Sequence, residues 1–197
     1  MQLLSCNEER IGLKVLVVYY SETKNTEKVA KAIHNEVSKK HEAHLKKADE
    51  ITADSLNDYD LVFLGSACHS ADLAPPIKKL LKAVPRSPKF KLAGFFTHSC
   101  PTQERSPESF TAWASKCVAS FEKVSKEKQI DFRGYYNCQG IPSPAIQEFI
   151  HNEVIGSANS GLGSTTWEEY VKEALKHPSP EDLCKAEEFA RKVISNL

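Results

Sequence analysis

Residues 13–26, LKVLVVYYSETKNT, set the fold before any other part of the chain does. Apart from Lys14, positions 13–20 are all apolar or aromatic, the pattern of a strand covered on both faces of a parallel sheet. Directly after it Val29, Ala30, Ile33 and Val37 recur at helical spacing, so 26–38 reads as a helix with one buried face. The turn between them, SETKNT at 21–26, crowds Ser21, Thr23, Asn25 and Thr26 together. Thr23 or Asn25 alone could cap the helix. Four such side chains after a buried strand point instead to a ligand.

The same alternation continues. Further apolar runs at 60–65, 91–97 and 130–137 read as strands, and a more polar run at 43–48 suits a sheet edge. Helical patterns lie between them: 75–84, opened by Pro75 and Pro76, and 107–127, with Phe110, Trp113, Cys117, Phe121 and Val124 on one side. Strand and helix in this order predict a doubly wound α/β sheet with right-handed crossovers. The whole chain, 1–197, reads as a single domain, with 139–178 a helical insertion before a last amphipathic helix that covers the sheet.

Composition excludes several classes. The chain has 197 residues, 26 Lys+Arg against 26 Asp+Glu and a formal net charge of zero, which argues against nucleic acid or an anionic membrane as partner. It has no apolar run long enough to span a bilayer, and its first residues lack the pattern of a signal peptide. A cytoplasmic location is expected. Six cysteines are spread without a CxxC pair, so they are expected as thiols.

In an open α/β sheet, ligands bind beyond the carboxyl ends of the strands. The first strand-to-helix turn lies there, with unpaired backbone N–H groups and the positive end of the helix dipole. Hydroxyls from Ser21, Thr23 and Thr26 would add neutral donors, so a phosphate needs no arginine. Neither GxxxxGK[ST] nor GxGxxG follows the first strand, which excludes a P-loop and a dinucleotide fingerprint.

On these residues the chain resembles the flavodoxin family. Its phosphate loop reads roughly (S/T)-x-T-G-N-T, and residues 21–26 match four of five informative positions, with Lys24 where glycine is usual. Left-handed backbone there would strain a lysine, while its amine adds charge toward a phosphate. The likeness continues through YDLVFLGSACHSADLAPPIKKLL, from Tyr59: a strand, Gly65-Ser66, a polar loop and a proline-opened helix. The resemblance implies a flavodoxin-like five-stranded parallel sheet of order 2-1-3-4-5 and one FMN. Ser21, Thr23, Asn25 and Thr26, with the amides of Glu22 and Lys24, would hold the phosphate. Ser66, Ala67, Cys68 and His69 would line one edge of the isoalloxazine, and Thr97, His98, Ser99 and Cys100 the other. It also implies electron transfer between redox protein partners as the first functional reading. An FMN-dependent oxidoreductase that draws on NAD(P)H to reduce a small acceptor is the alternative, and a flavin-free binding module the third. Carriers of this family tend to be acidic, whereas this chain is neutral.

Cys68, Cys100 and Cys138, with His69 and His98, fall just beyond strand ends, which leaves three readings: small loop-filling side chains, a redox-active thiol pair, or a metal site. The first is expected. A cysteine-phosphatase loop is excluded, since Arg105 is one position short of the required spacing from Cys100. Neither SACHSADLA (66–74) nor THSCPTQERSPES (97–109) contains Phe, Tyr or Trp. A flavin ring would therefore have at least one face covered by histidine, small side chains or 139–165.

Overall fold

The computed structural model describes residues 12–157, 161–162 and 164–197. Its sheet contains β1 (Lys14–Tyr19), β2 (Glu42–Lys47), β3 (Leu61–His69), β4 (Asp72–Leu73), β5 (Lys91–His98) and β6 (Asp131–Gln139). Five strands are parallel in the order β2-β1-β3-β5-β6, which is the expected arrangement. The two-residue β4 adds to it, folding back antiparallel on β3 with Cys68 opposite Leu73 and His69 opposite Asp72. The polar 43–48 run is the β2 edge.

The helices are α1 (Asn25–Val37), α2 (Pro75–Ala83), α3 (Pro107–Trp113), α4 (Ser115–Lys128), α5 (Pro144–Phe149), α6 (Trp167–Ala174) and α7 (Pro180–Ser195), and a π-helical turn (Ile150–Val154) extends α5. Alternate strand residues feed two cores, because successive side chains in a strand point to opposite faces. Val15, Val17, Phe63 and Phe95 pack under α1 and α7, against Ile33, Ala186 and Ala190. Leu16, Val18, Leu64 and Phe96 pack under α2, α3 and α4, against Ile77, Phe110 and Phe121. The last helix therefore does cover the sheet, beside α1. Gly65 is required by close approach: a Cβ there would meet the Phe95 ring at 2.1 Å.

The 107–127 pattern is two helices rather than one. Ala114, fully buried, leaves helical geometry at φ −141° and ψ −17°, so α4 starts in a new direction. Phe110 and Phe121 still reach the core, which is why the spacing concealed the break. The region after β6 contains a third, smaller core of Ile150, Val154, Tyr170 and Ala174, and Trp113 packs against both this core and the main one. It is tied to the loop after β5 by Tyr170, whose hydroxyl donates to Ser99 O at 2.9 Å, and by the Arg105–Glu173 ion pair at 2.9 Å. Among the described residues no helix is long and apolar enough to cross a membrane.

Candidate functional site

The turn 21–26 begins where β1 leaves the sheet, with Tyr20 bonded through its N–H to Gly65 O and through its O to Ala67 N. Lys24 stands at the N-cap of α1 in left-handed geometry, φ 65° and ψ 5°, and no side chain caps the helix. Thr23 and Asn25 are thus not caps. Asn25, buried, donates from Nδ2 to Thr23 Oγ1 at 2.8 Å and to Ile141 O at 2.7 Å. Gly140 permits this, since a Cβ there would lie 2.8 Å from the Asn25 amide. Thr26 is buried and shares a 2.8 Å hydrogen bond with the Thr97 hydroxyl. Ser21 Oγ is buried with no hydrogen-bond partner. A buried hydroxyl left unpaired costs about 1–3 kcal/mol. The turn therefore presents an uncapped helix start and a free hydroxyl, held by side chains that reach β5 and the segment after β6.

The loop after β3 is a tight hairpin, Ser70 and Ala71 both having positive φ, 49° and 66°. Asp72 holds it: its carboxylate accepts from Leu73 N at 2.7 Å, Ser120 Oγ at 2.6 Å and Lys78 Nζ at 2.5 Å. Burial pushes the Asp72 carboxyl up, but Lys78, Ser120 and the Leu73 amide outweigh it and hold the group below its usual range. Glu22 bridges the two loops, accepting from the Tyr20 hydroxyl at 2.7 Å and lying 3.4 Å from His69 Nε2.

Between the hairpin, the loop after β5 and the helices beyond lies a cavity of about 710 Å³, within the size range of small-molecule sites. Glu22 of the turn, Cys68 and His69 of the hairpin, and Ser99 and Cys100 after β5 all line it. Ser66, Ala67, Thr97 and His98, also expected beside a ring, do not border this cavity. Ser66 is fully buried and closes the hairpin base, donating to Ala67 O and accepting from Ala74 N. Ala67 contributes its backbone N–H and O to the same base. Thr97 faces α1 and supports the turn. His98 is core: Nε2 meets Asn137 Oδ1 at 2.9 Å, the ring packs on Phe96 and Phe110, and burial lowers its pKa. Strand alternation carried that signal, since His98 and Phe96 share a face.

Sequence reasoning missed the aromatic lining. Trp113 of α3, Phe149 of α5 and Tyr170 of α6 all border the cavity, although helical spacing had assigned Trp113 and Tyr170 to packing. The hairpin side carries His69, Ser70 and Ala71, and Phe149 comes from the 139–165 segment.

The thiols also regroup. Cys138 lies on the opposite face of the sheet, in the core under α7, away from the cavity. Cys117, read only as helix packing, stands beside Cys68 instead. Contact with Cys68 and burial push its pKa up, and burial pushes the Cys100 thiol up to about 12. Thiols held protonated in this way are poor nucleophiles and poor ligands. Among the described residues no group of three or more His, Cys, Asp or Glu is arranged to hold a metal.

This architecture has parallels. An uncharacterized protein of Methanocaldococcus jannaschii is 26% identical over 190 residues, 93% of this chain and 100% of its own. A flavodoxin from the domain Archaea superposes with a TM-score of 0.57 at 14% identity, covering 93% of this chain and 97% of its own. Oxidised flavodoxin 2 from Bacillus cereus gives 0.60 at 19% identity, over 93% and 99% of the two chains. At these identities the structures speak for the fold. The family model of the flavodoxin domain matches residues 16–191, and the chain belongs to that family.

Proposed function

We propose that the turn and the cavity together bind one FMN and that the protein transfers electrons between redox partners. The observation that carries this reading is the buried, unpartnered Ser21 hydroxyl in an uncapped helix-start turn, joined through Glu22 to a 710 Å³ cavity. A phosphate would supply the acceptor that Ser21 and the first N–H groups of α1 lack, and the helix dipole favours its charge. Ser21, the Thr23 hydroxyl and the amides of Glu22 to Thr26 would hold it, while Asn25 and Thr26 keep the turn in shape. Cys68, His69, Ser99 and Cys100 would border the ring, with Trp113 and Tyr170 offering apolar surface. When bound, FMN supplies reversible electron chemistry; the chain binds it, orients it and limits its exposure to water.

A second reading is favoured by the hairpin side of the cavity, where His69, Ser70 and Ala71 stand and no Phe, Tyr or Trp gives cover. That side would admit NAD(P)H or a small acceptor and make the protein an FMN-dependent oxidoreductase. Titrating the flavin-free protein with FMN, followed by fluorescence quenching, tests the shared premise. Saturation at one FMN per chain is expected, and no binding would leave a flavin-free module. Bleaching of the bound flavin by NAD(P)H alone would then select the reductase, and bleaching only through a redox protein the carrier.

A further inference from the structure

Next to the cavity, and sharing His69, Ser70 and Lys116 with it, runs an open groove of about 910 Å³. Its charged lining is one-sided: Lys78, Lys79 and Lys82 of α2 and Lys116 of α4, against Asp72 alone. Asp72 is already engaged with Lys78 at 2.5 Å. Lys79, Lys82 and Lys116 are exposed, and among the described residues they form no ion pair. Helix α2, PPIKKLLKA, contains no acidic residue to offset them. Local structure accounts for part of this. Lys78 secures the hairpin, and Lys82 in the last turn suits the helix dipole. Neither reason covers Lys79 and Lys116, which stand on different helices and face one groove. Zero net charge thus conceals a basic surface beside the cavity mouth.

We propose that this groove is the docking face for an acidic redox protein. The inference rests on the electron-transfer reading and names the partner's chemistry: an acidic patch around its own redox centre. Clustered surface charge of one sign raises the encounter rate with an oppositely charged partner and orients it on arrival. A partner seated on these lysines lies against the 68–71 hairpin, which borders both groove and cavity. A nucleotide phosphate is the poorer occupant. Phosphate sites converge backbone N–H groups or arginine forks on one point, whereas these lysines are spread along an open channel whose lining has no arginine.

The test is calorimetric titration with an acidic plant-type ferredoxin, and in parallel with basic cytochrome c, at low and high salt. Protein with and without added FMN is used, together with the Lys79→Glu/Lys82→Glu and Lys116→Glu variants, each checked for native circular dichroism. Ferredoxin is expected to bind, to weaken as salt rises, and to bind the double variant roughly tenfold less tightly, about 1.4 kcal/mol. Lys116→Glu should show a smaller loss in the same direction, and cytochrome c should bind only the charge-reversed protein. The proposal is overturned if cytochrome c binds the unaltered protein as well as ferredoxin does, or if no ferredoxin binding is detected. It is also overturned if the lysine variants bind ferredoxin unchanged, or if NADPH alone binds in a manner those variants abolish. FMN loading is read separately, so a failed flavin titration and a failed groove are distinguishable.

Discussion

The loops after β1 and β3 border the same cavity and are secured in opposite ways. The 21–26 turn is anchored through side chains: Asn25 reaches Ile141 O, and Thr26 reaches Thr97. Ser21 is left unpaired inside it. The hairpin is anchored by backbone pairing, by Ser66 at its base and by one carboxylate at its tip, leaving Cys68 and His69 on the cavity. The first loop is built around one point that needs an acceptor. The second is a wall held mainly by its backbone and by Asp72, with the half-buried Cys68 and His69 on its cavity side. Substitutions that separate the stability of each loop from its proposed binding role should break or sharpen this contrast.

The largest expected effect is Thr26→Val. The shape is kept, but the Thr97 hydroxyl loses its partner in a fully buried site, at a cost of up to about 3 kcal/mol of stability. Urea unfolding of the flavin-free protein should show it, and FMN affinity should fall as the turn loosens. An unchanged midpoint would mean that the turn does not depend on this tie.

Ser21→Ala should behave in the reverse sense. Removing a buried hydroxyl with no partner leaves unfolding of the flavin-free protein unchanged or slightly stabilised. FMN binding should nonetheless weaken by about 2 kcal/mol, the value of a hydrogen bond to a charged oxygen. Equal affinity for FMN in both proteins would show that Ser21 is not a phosphate donor.

The contrast between loops also marks what could be read from the chain. Continuous apolar runs such as Val15–Val18 and Leu61–Leu64 announced a sheet covered on both faces, and the hydroxyl-rich stretch announced the turn between β1 and α1. The partners of that turn were not legible. Thr26 and Thr97 are 71 positions apart, and Asn25 and Ile141 are 116 apart, with nothing local linking them. The hairpin was hidden for another reason. Its turn uses Ser70 and Ala71 where positive φ usually calls for Asn or Gly, so no turn signal marked it. Trp113 and Tyr170 follow helical spacing, which reports that a side is buried but not whether it faces core or cavity.

Asp72→Asn probes the second loop. The amide keeps the size of the carboxylate but weakens its bonds to Lys78, Ser120 and Leu73, at about 1 kcal/mol near neutral pH. Because the folded carboxyl titrates below its ordinary value, its contribution is complete above about pH 3.9 and is lost as pH falls through the lower folded value. The variant should therefore lose less stability than the parent across that acid window. Parallel acid profiles would indicate that the hairpin does not depend on the charge, and FMN affinity near neutral pH should change little in either case.

The smallest expected effect is Lys24→Gly, and it bears on the strain in the first loop. Left-handed geometry costs an L-residue roughly 1–2 kcal/mol, which glycine avoids. Glycine also gives up more chain entropy on folding, about 0.5–1 kcal/mol, so the net gain in stability should stay below about 1 kcal/mol. The lysine amine is the remaining variable. If Lys24 adds only long-range charge at the turn, FMN affinity should fall slightly, and high salt should erase the difference, since separated charges are screened within about 8–10 Å. A salt-resistant loss would instead mean that the amine is fixed against the phosphate, making charge rather than hydroxyl chemistry the main source of affinity there. Comparing the variant's unfolding midpoint and its FMN affinity at two salt concentrations separates these cases, because relief of backbone strain does not depend on salt whereas a long-range charge effect does.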